Sequence, residues 1–225
     1  SLGREYTKNS ASLSIACCWI CALPNAIDSI PSHIQDIRKI MKGETEKDVQ
    51  QLKKWVYIPS MIETMEAIVS LDNKQAKKAK EHAKKAISLI PDDLAPVIQG
   101  LFRGAASYRL AQAHREMGEL DQACSIMLEV LEMVKASKNY HGTAHTVLQI
   151  VSMYQEVGKT QEAITLCERM IDYIEEHHWD QIPPSGLVYV ILADLQADSG
   201  DFAKAEKNLE IGRELGERIK LQIVL

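Results

Sequence analysis

The segment Gly118-Glu119-Leu120-Asp121-Gln122-Ala123 has two related copies later in the chain. They are Gly158-Lys159-Thr160-Gln161-Glu162-Ala163 and Gly200-Asp201-Phe202-Ala203-Lys204-Ala205. Each copy places an alanine five residues after a glycine. A glycine at the end of an apolar periodic stretch supplies the left-handed conformation that stops a helix, and a small alanine lets two helices approach closely. The repeated unit is therefore predicted to be a helix, a tight turn and a second helix.

The spacing of the alanines predicts a solenoid. A degenerate copy has Asn73-Lys74 at the turn, and the alanines 79, 123, 163 and 205 are 44, 40 and 42 residues apart. A period of this size is typical of helical repeat proteins. We predict an all-α, right-handed superhelix (α-solenoid) of antiparallel helix pairs with repeats of about 40 residues. The expected domain is 1–225, excised from a larger chain, with repeats near 12–41, 55–90, 97–137, 142–178 and 185–218.

Apolar periodicity within the repeats agrees with this prediction. The second helices carry one apolar stripe each, such as Ala163, Cys167, Met170 and Ile174. The first helices are apolar on more than one side, which predicts that neighbours cover them. Ser60-Met61-Ile62-Glu63 fits a capping box at a helix start, and Ser12 to Leu23 is predicted as an N-terminal helix.

Composition narrows the class of protein. With 46% hydrophobic residues, 25% charged residues and a formal net charge of −5, the chain matches soluble globular proteins and lacks the basic surplus of nucleic-acid binders. The five cysteines are an odd number without a disulfide spacing, so we expect them to be reduced and the protein to be cytoplasmic. The apolar run from Leu13 to Leu23 is similar to a signal-peptide core, but a buried helix is favoured because no convincing cleavage site follows it. It is too short to span a membrane.

No motif predicts catalysis. Cys18 and Cys21 have a C-x-x-C spacing but no second pair, and His141 and His145 lie one turn apart without the His-Glu-x-x-His pattern. A phosphate-binding loop and a nucleophile elbow are both absent from the sequence. We therefore expect no enzyme, no catalytic residue, no metal and no cofactor in this domain.

The repeat phrases resemble tetratricopeptide (TPR) repeats, although their period is longer than the 34 residues usual there. The chain is similar in particular to the superhelical sensor domain of LuxR-family, MalT-like, ATP-dependent transcriptional regulators. The resemblance covers roughly residues 12–218. It rests on the order of several phrases: Ile87-Ser88-Leu89-Ile90-Pro91, Arg103-Gly104-Ala105-Ala106, Gly118-Glu119-Leu120-Asp121-Gln122-Ala123, Pro183-Pro184-Ser185-Gly186-Leu187 and Gly212-Arg213-Glu214-Leu215-Gly216.

The resemblance implies a non-catalytic sensor that binds a small-molecule inducer or a regulatory protein. ATP is then expected only in a missing neighbouring domain, and DNA only through a missing C-terminal helix-turn-helix domain. No membrane contact is expected, and self-association stays open. A second hypothesis is a stand-alone TPR-type scaffold for protein–protein interaction. Flanking coding sequence distinguishes the two hypotheses.

The resemblance also places the first helix of each repeat along a concave groove. Counting back from the turn glycines gives slots that face this groove, and polar residues occupy most of them: Arg109, Gln112 and Arg115; Gln149, Ser152 and Gln155; and Asp194. Arginine forks and amide groups suit a carboxylate, phosphate or polyhydroxylated ligand. The alternative for each residue is an ordinary solvent-facing position.

Overall fold

The computed structural model describes residues 27–43, 57–94 and 96–223. Within these residues the secondary structure is helical, without strands. Nine α-helices are described: α1 (Ile30–Gly43), α2 (Ile58–Asp72), α3 (Ala76–Ser88), α4 (Pro96–Glu116), α5 (Leu120–Ala136), α6 (Tyr140–Glu156), α7 (Thr160–Glu176), α8 (Gly186–Asp198) and α9 (Phe202–Ile223). The helix predicted at Ser12 to Leu23, with Cys17, Cys18 and Cys21, lies outside the described residues.

The chain divides into two compact units, Ser1–Ile126 and Met127–Leu225, and the boundary falls within α5. In the first unit, α2 packs against α3 and α4, and α3 also packs against α4. Its core joins isoleucines of α1 to the apolar residues of α2. Tyr57 stacks on Phe102 of α4, with ring centroids 4.6 Å apart. Aliphatic burial thus holds α1 against α2, and the aromatic contact joins the start of α2 to α4.

In the second unit, α6 packs against α7, α7 against α8, and α8 against α9. The core contains Ile150 of α6, Met170 and Ile174 of α7, and Leu195 of α8. Trp179 is buried after α7 and makes edge-to-face contacts with Tyr140 at 4.7 Å and Tyr173 at 5.1 Å. Such aromatic pairs fix the connection between α7 and α8 more firmly than aliphatic contacts alone.

Six helix ends in the described residues close in the same way. The residue after the helix cap has a positive φ at Gly118, Gly158 and Gly200, as predicted, and also at Lys74, Lys138 and His178. The next amide N–H donates to a carbonyl five residues back, as from Glu119 to His114 at 2.9 Å. This pattern is the Schellman motif, which satisfies carbonyls at the end of a helix. The glycine prediction is confirmed, and the turn also forms where the sequence has no glycine.

The alanine prediction is confirmed as well. Ala79, Ala123, Ala163 and Ala205 are all buried, and so are Cys167, Met170 and Ile174 on the stripe of α7. A small buried side chain at the start of each second helix lets its partner helix approach, because no side chain longer than one methyl group has to be accommodated there.

The predicted capping box at Ser60 is wrong. Helix α2 begins earlier, at Ile58, with Pro59 in its first turn, a position that suits proline because its missing N–H has no partner there. Ser60 is buried, and its Oγ has no hydrogen-bond partner among the described residues. Glu63 does not turn back to the helix start either, because its carboxylate pairs with α3.

Helices α8 and α9 meet at two glycines. A Cβ on Gly212 would lie 2.6 Å from Val190 Cγ2 and 3.0 Å from the carbonyl oxygen of Gly186. A Cβ on Gly186 would lie 2.9 Å from Leu215 Cβ. These glycines are therefore needed for close backbone approach, whereas Gly216 has open space around it.

Candidate functional site

Helix α4 carries two neighbouring polar side chains beside a face that packs through alanines. Ala106, Ala111 and Ala113 are completely buried on α4 and anchor it. Arg109 and Gln112 are half-buried and lie one turn apart. Arg109 Nη1 donates a hydrogen bond to Gln112 Oε1 at 2.7 Å. Two of the predicted groove residues thus form one continuous polar surface, which their spacing of three residues on a helix predicts.

The guanidinium of Arg109 is held in place from a second side. It lies over the ring of Tyr108, 5.0 Å from the ring centroid. Burial raises the pKa of the Tyr108 hydroxyl, although the positive charges of Arg109 and Arg115 act in the opposite direction. Burial lowers the pKa of Arg109, and Tyr108 opposes this effect. The arginine remains charged at neutral pH because its ordinary pKa is so high.

Arg115 is the third predicted groove residue on α4. It is also half-buried, but it has an interaction partner of its own within the chain. For Arg109, by contrast, no carboxylate lies at ion-pair distance among residues 27–43, 57–94 and 96–223. The charge of Arg115 also acts on Tyr108, so both arginines contribute positive charge to this face.

The remaining predicted groove residues lie in the second unit. Gln149 and Ser152 of α6 are half-buried, one turn apart, and each has an interaction partner. Gln155 is exposed near the end of the same helix, and Asp194 is exposed on α8 between the buried Ala193 and Leu195. Within α6 the structure thus places Gln149 and Ser152 on one face, as their spacing predicts.

A buried carboxylate that no sequence pattern predicted lies between α2 and α3. Glu63 is only 6% exposed, with its Oε2 2.7 Å from His82 Nδ1 and its Oε1 2.7 Å from Lys85 Nζ. Burial alone raises the pKa of Glu63, but the hydrogen bonds and charges of Lys85 and His82 outweigh it, so the pKa is below its ordinary value. The signal in the sequence was a glutamate on a helix whose neighbouring residues are mostly apolar.

A second cluster of the same type joins α3 to the turn after α4. Glu119 Oε2 lies 2.9 Å from Lys80 Nζ and 2.5 Å from His114 Nδ1. Lys80 and Lys85 both belong to α3, which is rich in lysine and lies largely at the surface. Two lysines of this helix thus pair with carboxylates of neighbouring elements.

Exposed apolar side chains form two further features of the surface. Val97 and Leu101 are 63% and 50% exposed near the start of α4. Phe202 and Leu209 are 70% and 53% exposed on α9, two turns apart. Surfaces of this type are common where proteins bind other proteins.

Neither a cluster of metal ligands nor a helix that could cross a bilayer occurs in the described residues. No group of three or more His, Cys, Asp or Glu residues in residues 27–43, 57–94 and 96–223 is arranged to hold a metal ion. His141 and His145 are both exposed. None of the helices described has the length and apolar character that crossing a bilayer requires.

Comparison with solved structures shows the fold. A variant of a Podosopora anserina putative kinesin light chain with nearly identical TPR-like repeats has a TM-score of 0.64 at 15% identity, covering 95% of this chain and 97% of that chain. The apo form of RapI has a TM-score of 0.63 at 14% identity, covering 93% of this chain and 71% of that one. BtubC from P. vanneervenii has a TM-score of 0.58 at 15% identity, covering 98% and 93%. The chain is thus a TPR-like α-solenoid, the predicted fold class.

Comparison by sequence shows the family of the chain. A family model described as the MalT-like TPR region matches residues 61–225. None of the curated proteins matches the chain. The matched region contains α3 to α9 in full and most of α2, and therefore all of the predicted groove residues.

Proposed function

Because the chain belongs to the MalT-like TPR region family, we propose that it is the sensor domain of a LuxR/MalT-type transcriptional regulator. In this role it binds a small-molecule inducer or a regulatory protein through the polar faces of its first helices. It is cytoplasmic and performs no chemistry. ATP and DNA are bound by other domains of the regulator.

The observation that supports this proposal is the polar pair on α4. Arg109 and Gln112 are half-buried, hydrogen-bonded to each other and braced by Tyr108, on a helix whose buried face packs through Ala106, Ala111 and Ala113. Burying a charged group costs free energy unless partners compensate it. A ligand that supplies such a partner gains binding free energy at that position.

Binding transmits a signal by differential affinity. A ligand shifts a regulator between two states only to the extent that it binds one of them more tightly. The fold suits this role because each repeat contacts mainly its neighbours, so stability at one repeat is coupled to the next.

A ligand panel tests the proposal by thermal unfolding. The 225-residue chain is melted with sugars, amino acids, phosphorylated metabolites and aromatic acids. A ligand at about 100 times its dissociation constant is expected to add about 2.7 kcal/mol, or roughly 5 to 10 °C. The shift should disappear in Arg109→Ala or Gln149→Ala and persist in Arg103→Ala, which removes an arginine from a different face of α4. A flat panel contradicts the small-molecule form of the proposal.

The exposed apolar residues of α4 and α9 favour a second candidate, a stand-alone TPR-type scaffold that binds proteins. The coding sequence on either side separates the two. A phosphate-loop ATPase upstream and a helix-turn-helix domain downstream support the sensor, whereas stop codons at both ends support the scaffold.

A further inference from the structure

We propose that the Arg109–Gln112 pair on α4 is a binding site for the carboxylate group of a small-molecule ligand. This inference rests on the proposed function, because it specifies the chemistry of one part of the polar surface. Its support comes from hydrogen-bond geometry and charge at the pair itself.

Charge is the first feature of the Arg109–Gln112 pair that favours an anion. The guanidinium of Arg109 is half-buried, and its partners among the described residues are the amide of Gln112 and the ring of Tyr108. Neither neutralises a positive charge. Arg115 has an interaction of its own, and its charge, like that of Arg109, acts on Tyr108. The pair therefore presents one uncompensated positive charge in partly desolvated surroundings, where an anion gains more than it would in water.

Hydrogen-bond direction is the second feature of the pair that favours an anion. Gln112 Oε1 accepts from Arg109 Nη1, so the acceptor of the amide is already used by the arginine. The groups left over are the Nε–H and Nη2 donors of Arg109 and the Nε2 donors of Gln112, none of which has an acceptor in the described part of the chain. A site that offers only donors suits a ligand group that only accepts. Sugar hydroxyls also need acceptors, so a neutral carbohydrate fits it poorly.

The geometry of the Arg109 guanidinium is the third feature, and it favours a carboxylate. The free Nε and Nη2 donors form the side edge of the guanidinium, which matches two oxygens of one planar carboxylate. Tyr108 and Gln112 fix the orientation of that edge before a ligand arrives, so less entropy is lost on binding. The charge of Arg109 balances that of a monocarboxylate.

Arginine-selective NMR tests the proposal directly. The Nε–H signal of Arg109, assigned by its absence in Arg109→Lys, is followed while the chain is titrated with sodium benzoate or sodium acetate at constant ionic strength. A saturable shift with benzoate or acetate is expected, with no shift from benzamide or maltose. Arg109→Gln should weaken benzoate binding at least about tenfold, and Arg109→Lys should weaken it less, since lysine keeps the charge and loses the two-donor edge. Arg103→Gln, the control on another face of α4, should bind benzoate like the unmodified chain.

Several outcomes overturn the proposal. Equal benzoate binding by Arg109→Gln and the unmodified chain, or an equal response to benzamide, excludes a carboxylate site at the pair. Tighter binding of inorganic phosphate than of benzoate or acetate excludes the monocarboxylate preference. If Arg109→Gln does not fold, the comparison of benzoate with benzamide on the unmodified chain still decides. A sugar that raises the melting temperature and loses its effect in Gln149→Ala, without any benzoate or acetate shift at Arg109, would leave the proposed function intact and reject this inference alone.

Discussion

Helices α2 and α3 meet through alanines and a buried carboxylate, whereas α8 and α9 meet through glycines. In the first pair, α3 presents Ala79, Ala83 and Ala86 to its neighbours, and Glu63 binds His82 and Lys85. In the second pair, Gly186 and Gly212 bring backbone atoms into direct contact. Both pairs connect through the same left-handed turn. The comparison shows that one repeat phrase specifies the turn, while the means of close approach differs from pair to pair.

The largest expected effect is at the glycine contact. Gly212→Ala places a Cβ against the backbone carbonyl of Gly186, which cannot rotate away as a side chain can. We expect the free energy of unfolding to fall by about 2–3 kcal/mol, as for other overpacked positions. Urea unfolding measures this loss, and hydrogen exchange should localise it to α8 and α9. Gly216→Ala on α9 is the matched control, and it should be neutral or stabilising by up to about 1 kcal/mol.

The glycine contact shows what the sequence could and could not predict. The turns at Gly118, Gly158 and Gly200 were predictable because a positive φ is a local requirement that glycine meets cheaply. The role of Gly212 was not, because a glycine inside a helix has no local signal that says which backbone it will touch. The same holds for the turns at Lys138 and His178, where tertiary packing imposes a conformation that the residue itself disfavours.

The second effect concerns the carboxylate of the α2–α3 pair. The pKa of Glu63 is lowered in the folded state, so the ionised group stabilises the fold above its ordinary, unfolded pKa and loses this contribution as the pH falls through the folded pKa. Glu63→Gln should cost about 1–2 kcal/mol at pH 7. Urea unfolding at pH 7 and at about pH 3 checks this, since the variant and the unmodified chain should converge in acid.

The control for Glu63 lies on the same helix. Glu66 pairs with Arg38 at 3.0 Å, but the arginine is about half exposed, so Glu66→Gln should cost less than about 0.5 kcal/mol. Equal losses for the two variants would show that burial of Glu63 adds nothing to the helix pair.

The smallest effect compares the two turns themselves. Gly200 has φ +83° and open space where a Cβ would be, so Gly200→Ala should cost about 1 kcal/mol from backbone strain alone. Lys74 occupies the corresponding position between α2 and α3 with φ 58°, so Lys74→Gly should stabilise the chain by roughly 0.5–1 kcal/mol. Thermal unfolding of both variants tests the opposite signs. A loss of stability in Lys74→Gly would mean that the lysine side chain contributes more than the strain it causes.

The candidate site, like the turns, was predictable from the sequence only in part. A spacing of three residues places Arg109 beside Gln112 on any helix, and the structure has this contact. Whether an arginine has a counter-charge depends on what the fold brings near it, and no carboxylate lies at ion-pair distance from Arg109 in the described residues. Glu63 and His82 illustrate the same limit, because they are 19 residues apart and meet only when α2 packs on α3.

Because Cys167 of α7 is buried, the reactivity of its thiol reports how often the second unit opens around it. The side chain is fully buried, and burial together with the charge of Glu168 raises the pKa of the thiol to about 12. Alkylating reagents attack the thiolate, so Cys167 reacts at neutral pH only when α7 separates from its neighbours. The rate of alkylation at this position, measured by peptide mass spectrometry, therefore reports the frequency of local opening in the second unit. A ligand that holds the unit closed would slow that reaction without absorbing, fluorescing or being labelled itself.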